Sequence, residues 1–207
     1  MGGRESVYSR RLLLILLFAF AFLSFRYTSK PSSILEQVAD KDKMADSGGD
    51  IISKLKVSVR QVSASPPKLG IAVTNTHSGA VTILSWNSPL DPLALQLGLV
   101  SFVPAGSDDS TPIHIPSIQI RRKTPPGPES LITLGAGQTK EQELELKAPI
   151  VPLEKLRGRA TVVCEGEWVS VWPSEADAIT KESLEKVGAS EDAFRGRFKS
   201  EAVEIEI

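Results

Sequence analysis

The side chains that most often carry chemistry are scarce in this chain. It has one cysteine and two histidines in 207 residues. The single thiol, Cys164, excludes any disulfide within the chain. His77 and His114 fall in a turn and in a strand-like segment, so no His-Glu-x-x-His helix exists, and no Cys/His zinc site can form without help from carboxylates. There is no Gly-x-Ser-x-Gly elbow and no phosphate-binding loop. Gly135-Ala136-Gly137 is too short for a dinucleotide fingerprint and reads as a turn whose glycines allow positive φ. No metal and no cofactor is expected. Asn-x-Ser/Thr sequons are also missing, since Asn75 is followed by Thr-His and Asn87 by Ser-Pro. An excess of one charge is lacking as well: 24 Lys/Arg face 25 Asp/Glu. Residues 1–43 hold seven Lys/Arg and four Asp/Glu, which leaves 17 and 21 for the remainder. A mildly acidic body has no electrostatic drive toward phosphate backbones, so nucleic acid is not an expected partner.

Long hydrophobic runs are missing too, except near the start. Leu12 to Phe25 is apolar apart from Ser24 and follows Arg4, Arg10 and Arg11. A basic region before such a run is a secretory signal pattern. At about 1.5 Å per residue it reaches roughly 21 Å, short of a ~30 Å hydrocarbon core. A cleaved signal peptide therefore competes with a short signal anchor. Ala19-Phe20-Ala21 offers a cleavage site, while Phe22 and Leu23 prolong the run. An uncleaved Leu12–Phe25 segment would hold the chain to a membrane. A third reading starts translation at Met44, which would leave a cytosolic domain. These observations divide the chain into a signal or anchor segment (1–27), a polar tether (28–50) and a folded domain (51–207).

Within that domain the pattern is period two. Leu55, Val57 and Val59 alternate with charged and polar residues, and Leu69, Ile71 and Val73 form a second buried face. Val81–Trp86 is expected to close a hairpin with the latter. After the proline-bracketed corner Pro89-Leu90-Asp91-Pro92 come a helical turn at Leu93–Leu97 and a strand at Leu99–Val103. An edge strand or bulge over Ile113–Arg121 is broken by Pro116. Thr139–Lys147 and Gly158–Trp172 are strands, the second with Ala160, Val162, Cys164, Gly166, Trp168, Ser170 and Trp172 on one face. One short helix begins at an N-cap, Thr180, and stops at Gly188. A last strand holds Val203, Ile205 and Ile207. About eight short strands and one short helix predict an all-β fold, an antiparallel Ig-like β-sandwich, behind an N-terminal hydrophobic helix and a flexible tether.

The segments Thr74-Asn75-Thr76, Leu84-Ser85-Trp86-Asn87-Ser88-Pro89-Leu90, Arg121-Arg122-Lys123-Thr124-Pro125 and Leu134-Gly135-Ala136-Gly137-Gln138-Thr139 together resemble the amino-terminal β-sandwich domain of deuterolysin-type (aspzincin) metallopeptidases. The similarity covers roughly residues 53–165. Ser88 stands where that domain has Thr, and Gln138 where it has Glu. The zinc-binding helix of those enzymes has no counterpart, so the resemblance implies a sandwich without its catalytic domain and carries over no catalytic residue. The chain is also similar to uncharacterised stand-alone fungal proteins.

Individual side chains divide as follows. Cys164 reads as a buried, inert thiol. Glu165 and Glu167 share one strand face and read as solvated. A hydrolase would need them, or Asp91, to meet in a cleft. Asp91 reads as a cap on its corner, and Trp86 and Trp168 as core. Trp172, beside Pro173 near its strand end, is the candidate exposed contact. Arg121, Arg122 and Lys123 read as a solvated strand end, with a phosphate or acidic-partner site as the functional alternative. The function expected is a non-catalytic interaction module that binds a protein partner, related to a peptidase prodomain and using strand addition along Ile113–Arg121. A membrane-tethered structural domain of the secretory pathway is the alternative.

Overall fold

The computed structural model describes residues 51–106, 111–156 and 158–207. The signal or anchor segment and the tether lie outside the described residues. Among the described residues no helix is long and apolar enough to cross a membrane.

Alternation at Leu55, Val57 and Val59 gives β1 (Leu55–Ala64), and the turn at Pro66 returns the chain as β2 (Pro67–Asn75). The two pair antiparallel from Leu55↔Asn75 to Ala64↔Pro67, with a bulge between Gln61 and Ser63. β6 (Thr139–Glu145) takes the other side of β2 and completes a three-stranded sheet. The second sheet has six strands: β3 (Val81–Leu84), β4 (Val100–Pro104), β5 (Leu131–Leu134), β7 (Arg159–Trp172), β8 (Phe194–Lys199) and β9 (Val203–Glu206). β7 organises it. β4 pairs with its first half and β3 with its end, while β9 and β8 follow one another along it. All pairings are antiparallel, and the observed fold is the expected all-β, Ig-like sandwich.

Strand alternation places the core between the sheets. Ala160, Val162, Cys164 and Trp168 of β7 are fully buried against Leu69, Ile71 and Val73 of β2 and Phe102 of β4. Each such large apolar side chain contributes about 1.5–3 kcal/mol on burial. Trp168 and Phe198 pack in a tilted aromatic pair, centroids 4.9 Å apart and planes at 54°.

Three expectations are corrected. β2 and β3 do not form a hairpin, because β3 pairs with β5 and β7 in the opposite sheet. The chain crosses between sheets at Asn75, which is fully buried. Its Nδ2 donates to the carbonyls of Gly79 (2.8 Å), Leu134 (2.8 Å) and Gly135 (3.1 Å), and its Oδ1 accepts from the His77 N–H. That side chain ties the 76–79 turn to the end of β5 and the turn after it.

Ile113–Arg121 is not an edge strand; it has no regular secondary structure and is tied down by Ile113 N–H to Phe102 O and Ile118 N–H to Gln96 O. Pro112 and Pro116 have no N–H to give a ladder. β8 was not foreseen. Its inward positions are Phe194, Gly196 and Phe198, and the central glycine hides the alternation. A Cβ at Gly196 would lie 2.9 Å from Ile52 Cγ2, so close packing requires the glycine there.

Trp172 is also corrected. It is 1% exposed, packed with Leu84 and Ile179. Residues 174–193 fold back over it, including the short helix Lys181–Glu185 capped by the Thr180 hydroxyl. The Trp172 indole N–H donates to Ser183 Oγ (2.9 Å), which donates to Asp192 Oδ1 (2.7 Å), and Ser190 Oγ also bonds that carboxylate. Burial pushes the Asp192 carboxyl upward, but the hydrogen bonds from Ser190, Ser183, its own backbone and Trp172 together leave it below its ordinary value. A carboxyl lowered on folding stabilises above its unfolded value of roughly 3.9 and loses that contribution as pH falls through the folded value. Acid titration should therefore release the near-ultraviolet dichroism of Trp172 below about pH 4, and Asp192→Asn should abolish this step. An unchanged step in Asp192→Asn would assign it elsewhere.

Candidate functional site

The corner at residues 85–92 is built around Asp91, a carboxylate with no exposed surface. Its Oδ2 accepts from the Asn87 N–H (2.8 Å) and its Oδ1 from the Leu93 N–H (3.0 Å), so the expected capping role is observed. Ser88 Oγ accepts from the Leu90 N–H, and Gln142 Nε2 reaches from β6 to the carbonyls of Pro89 and Asp91. Asn87 adopts φ 56°, a left-handed turn conformation that asparagine tolerates.

Arg122 completes the corner. Its Nη2 lies 2.5 Å from Asp91 Oδ2, and its guanidinium carbon lies 5.7 Å from the Trp86 ring centroid. A buried carboxylate needs such a partner, and the ring face adds a cation–π contact. Trp86 is half-buried, and its indole N–H donates to Ser130 Oγ (3.2 Å). The triplet is therefore split. Arg122 is tied into the fold through Asp91, while 24% of its side chain stays exposed in the lining of the surface beside it. Arg121 and Lys123 remain exposed, with no ion pair among the described residues.

These side chains line a shallow cleft of about 400 Å³ that includes Trp86, Arg121, Lys123, Pro125 and Glu129. The prolines at 125, 126 and 128 turn residues 121–130 back over Trp86, which sequence spacing alone did not indicate. The cleft offers the exposed cations Arg121 and Lys123 beside Arg122 and the Trp86 ring, with Glu129 as the only acid of its lining.

The other candidates are placed apart from it. Glu165 and Glu167 stand exposed on β7, paired with Lys199 (2.9 Å) and Arg195 (3.2 Å). Surface pairs of this kind contribute about 0–1 kcal/mol. His77 Nδ1 accepts from the Gly79 N–H within its turn. Cys164 is fully buried, and burial, followed by the charge of Glu165, pushes its thiol up to about 12. It should resist a disulfide reagent at pH 8 in the folded protein and react at once in denaturant. Rapid native labelling would contradict the burial of this strand face.

A family model described as an immunoglobulin-like domain matches residues 54–207. An uncharacterized secreted protein of Arthroderma benhamiae is 29% identical over 157 residues, covering 73% of this chain and 77% of the relative.

Proposed function

Because the chain belongs to the immunoglobulin-like domain family, we propose that it is a non-catalytic interaction module of the secretory pathway that binds an acidic segment of a partner protein at the cleft beside Trp86. One observation carries this reading. The corner consumes Arg122 internally yet leaves Arg121 and Lys123 exposed and unpaired among the described residues, on either side of it. Trp86 supplies apolar contact area at the same place, the residue type most often responsible for binding energy. Rim cations act chiefly on association rate and salt dependence, so the interaction weakens as ionic strength rises.

A secretory location is supported by the basic and apolar N-terminal pattern and by the secreted relative. The resemblance of Val73–Pro92 to the domain preceding aspzincin catalytic domains makes a secreted peptidase the client class to test first. The argument for that client is an analogy of scaffold.

The experiment is quantitative capture from the medium of the secreting cells, comparing the wild type with Arg121→Glu/Lys123→Glu. Both positions are exposed, so folding is unaffected. Captured acidic proteins should fall about tenfold or more with the double variant. Identical capture profiles would reject the cleft as the binding site.

A further inference from the structure

The three-stranded sheet ends at β1 on one side and at β6 on the other, and β8 and β9 lie at the margin of the second sheet beside β7. β2 occupies one side of β1, and among the described residues no strand takes the other. The Thr76 N–H donates to the Lys54 carbonyl, which sets the antiparallel parity. Lys56, Ser58 and Arg60 turn their backbone groups toward β2, and Leu55, Val57 and Val59 turn theirs outward. On β8 the Ser200 N–H donates to the Cys164 carbonyl, so Arg197 and Lys199 turn their backbone groups away from β7 by the same parity.

The edges of β1 and β8 adjoin, and at one end a side chain joins β1 to β9, which follows β8 along β7. Gln61 of β1 accepts from the Glu206 N–H (3.0 Å) and donates to the Glu206 carbonyl (2.6 Å), the two bonds a neighbouring strand would make. From that clasp toward Ile52 the edges enclose an open groove of about 640 Å³. Val57, Phe198 and Val203 give it an apolar lining, and Lys56 and Arg197 make it cationic against a single lining acid, Glu201, while Lys199 is paired with Glu165. Lys56 and Arg197 have no ion-pair partner among the described residues.

We infer that this groove receives an extended segment of a partner protein that pairs with the free edge of β1 and alternates apolar with acidic residues. Strand addition supplies backbone hydrogen bonds, and alternate side chains then decide specificity. One face of the added strand meets Val57, Phe198 and Val203, and its acidic face meets Lys56 and Arg197. A basic segment is refused by the same cations, which is selection by repulsion. The groove is separate from the corner cleft, so it stands whether or not that cleft binds.

The test uses the full chain and a fluorescent Thr-Val-Glu-Val-Glu-Val-Thr peptide, with a counterpart in which Lys replaces Glu. Binding of the acidic peptide should protect the amides of Leu55, Val57 and Val59 from hydrogen exchange, while those of Lys56, Ser58 and Arg60 are protected beforehand. Val57→Pro removes an outward N–H without removing a β1–β2 bond, and should weaken binding at least about tenfold. Lys56→Glu/Arg197→Glu, which leaves the ladder intact, should transfer preference to the basic peptide. Equal binding of both peptides, or binding with the three amides still exchanging freely, overturns the inference. So does protection of those amides that depends on protein concentration without peptide, because the edge would then serve self-association.

Discussion

Arg122→Met should lower the unfolding free energy by about 3–5 kcal/mol at neutral pH, the usual cost of leaving a buried charge without its partner. Asp91 has no exposed surface, and Arg122 is the only cation bonded to it among the described residues. Methionine keeps most of the stem packing but leaves the carboxylate with two backbone N–H groups alone. The double variant Asp91→Asn/Arg122→Met removes the charge as well. The Asn side-chain oxygen still accepts backbone bonds at the corner, so the double variant should recover more than half of the loss. Urea unfolding with matched m-values measures both changes. A cost below about 1 kcal/mol for Arg122→Met would mean that the pair behaves as a surface ion pair. The corner would then not be the rigid floor of the cleft.

The second large effect belongs to Asn75. Asn75→Ala removes four side-chain hydrogen bonds where the chain crosses between sheets, although the Gly135 carbonyl keeps the Gln138 N–H and Leu134 its pairing with Val81. A lost hydrogen bond costs about 0.5–1.5 kcal/mol where another partner remains and about 1–3 kcal/mol where a buried group is left alone, so a total of about 2–4 kcal/mol is expected. Asn75→Asp keeps the shape and should be at least as damaging. It sets a carboxylate oxygen against three carbonyl oxygens, where an amide now donates. Should Asn75→Asp prove as stable as the wild type, the crossing is held by something other than this side chain.

The parts of the fold legible in the sequence were those where alternation is uninterrupted. β7 shows its inward face through Ala160, Val162, Cys164 and Trp168, and both Glu165 and Glu167 face solvent as expected. The capping of the Asp91 corner and the Thr180 cap were legible because short polar side chains there bond the adjacent backbone. What was hidden was long-range. Gly196 erased the pattern of β8 because Ile52, far away in sequence, fills the space its side chain would take. Trp172 looked exposed beside Pro173, yet the excursion through Ser183 and Asp192 covers it. In the cleft, the basic triplet was visible as a run of charge. That its middle member answers a carboxylate 31 residues away depends on tertiary folding, which no local pattern reports. The free edge moved for the same reason. Pro112 and Pro116 disqualify the segment at 113–121, and pairing choices leave β1 open instead.

The central claim is that the cleft beside Trp86 binds a protein partner. A photo-reactive phenylalanine analogue placed at exposed Thr124, at the cleft's rim, tests it most directly in the secreting cells. The account predicts a discrete cross-linked protein that disappears when Arg121→Glu/Lys123→Glu is introduced in the same chain. A cross-linking pattern unchanged by that double variant, or no cross-linked protein from Thr124 at all, would contradict it.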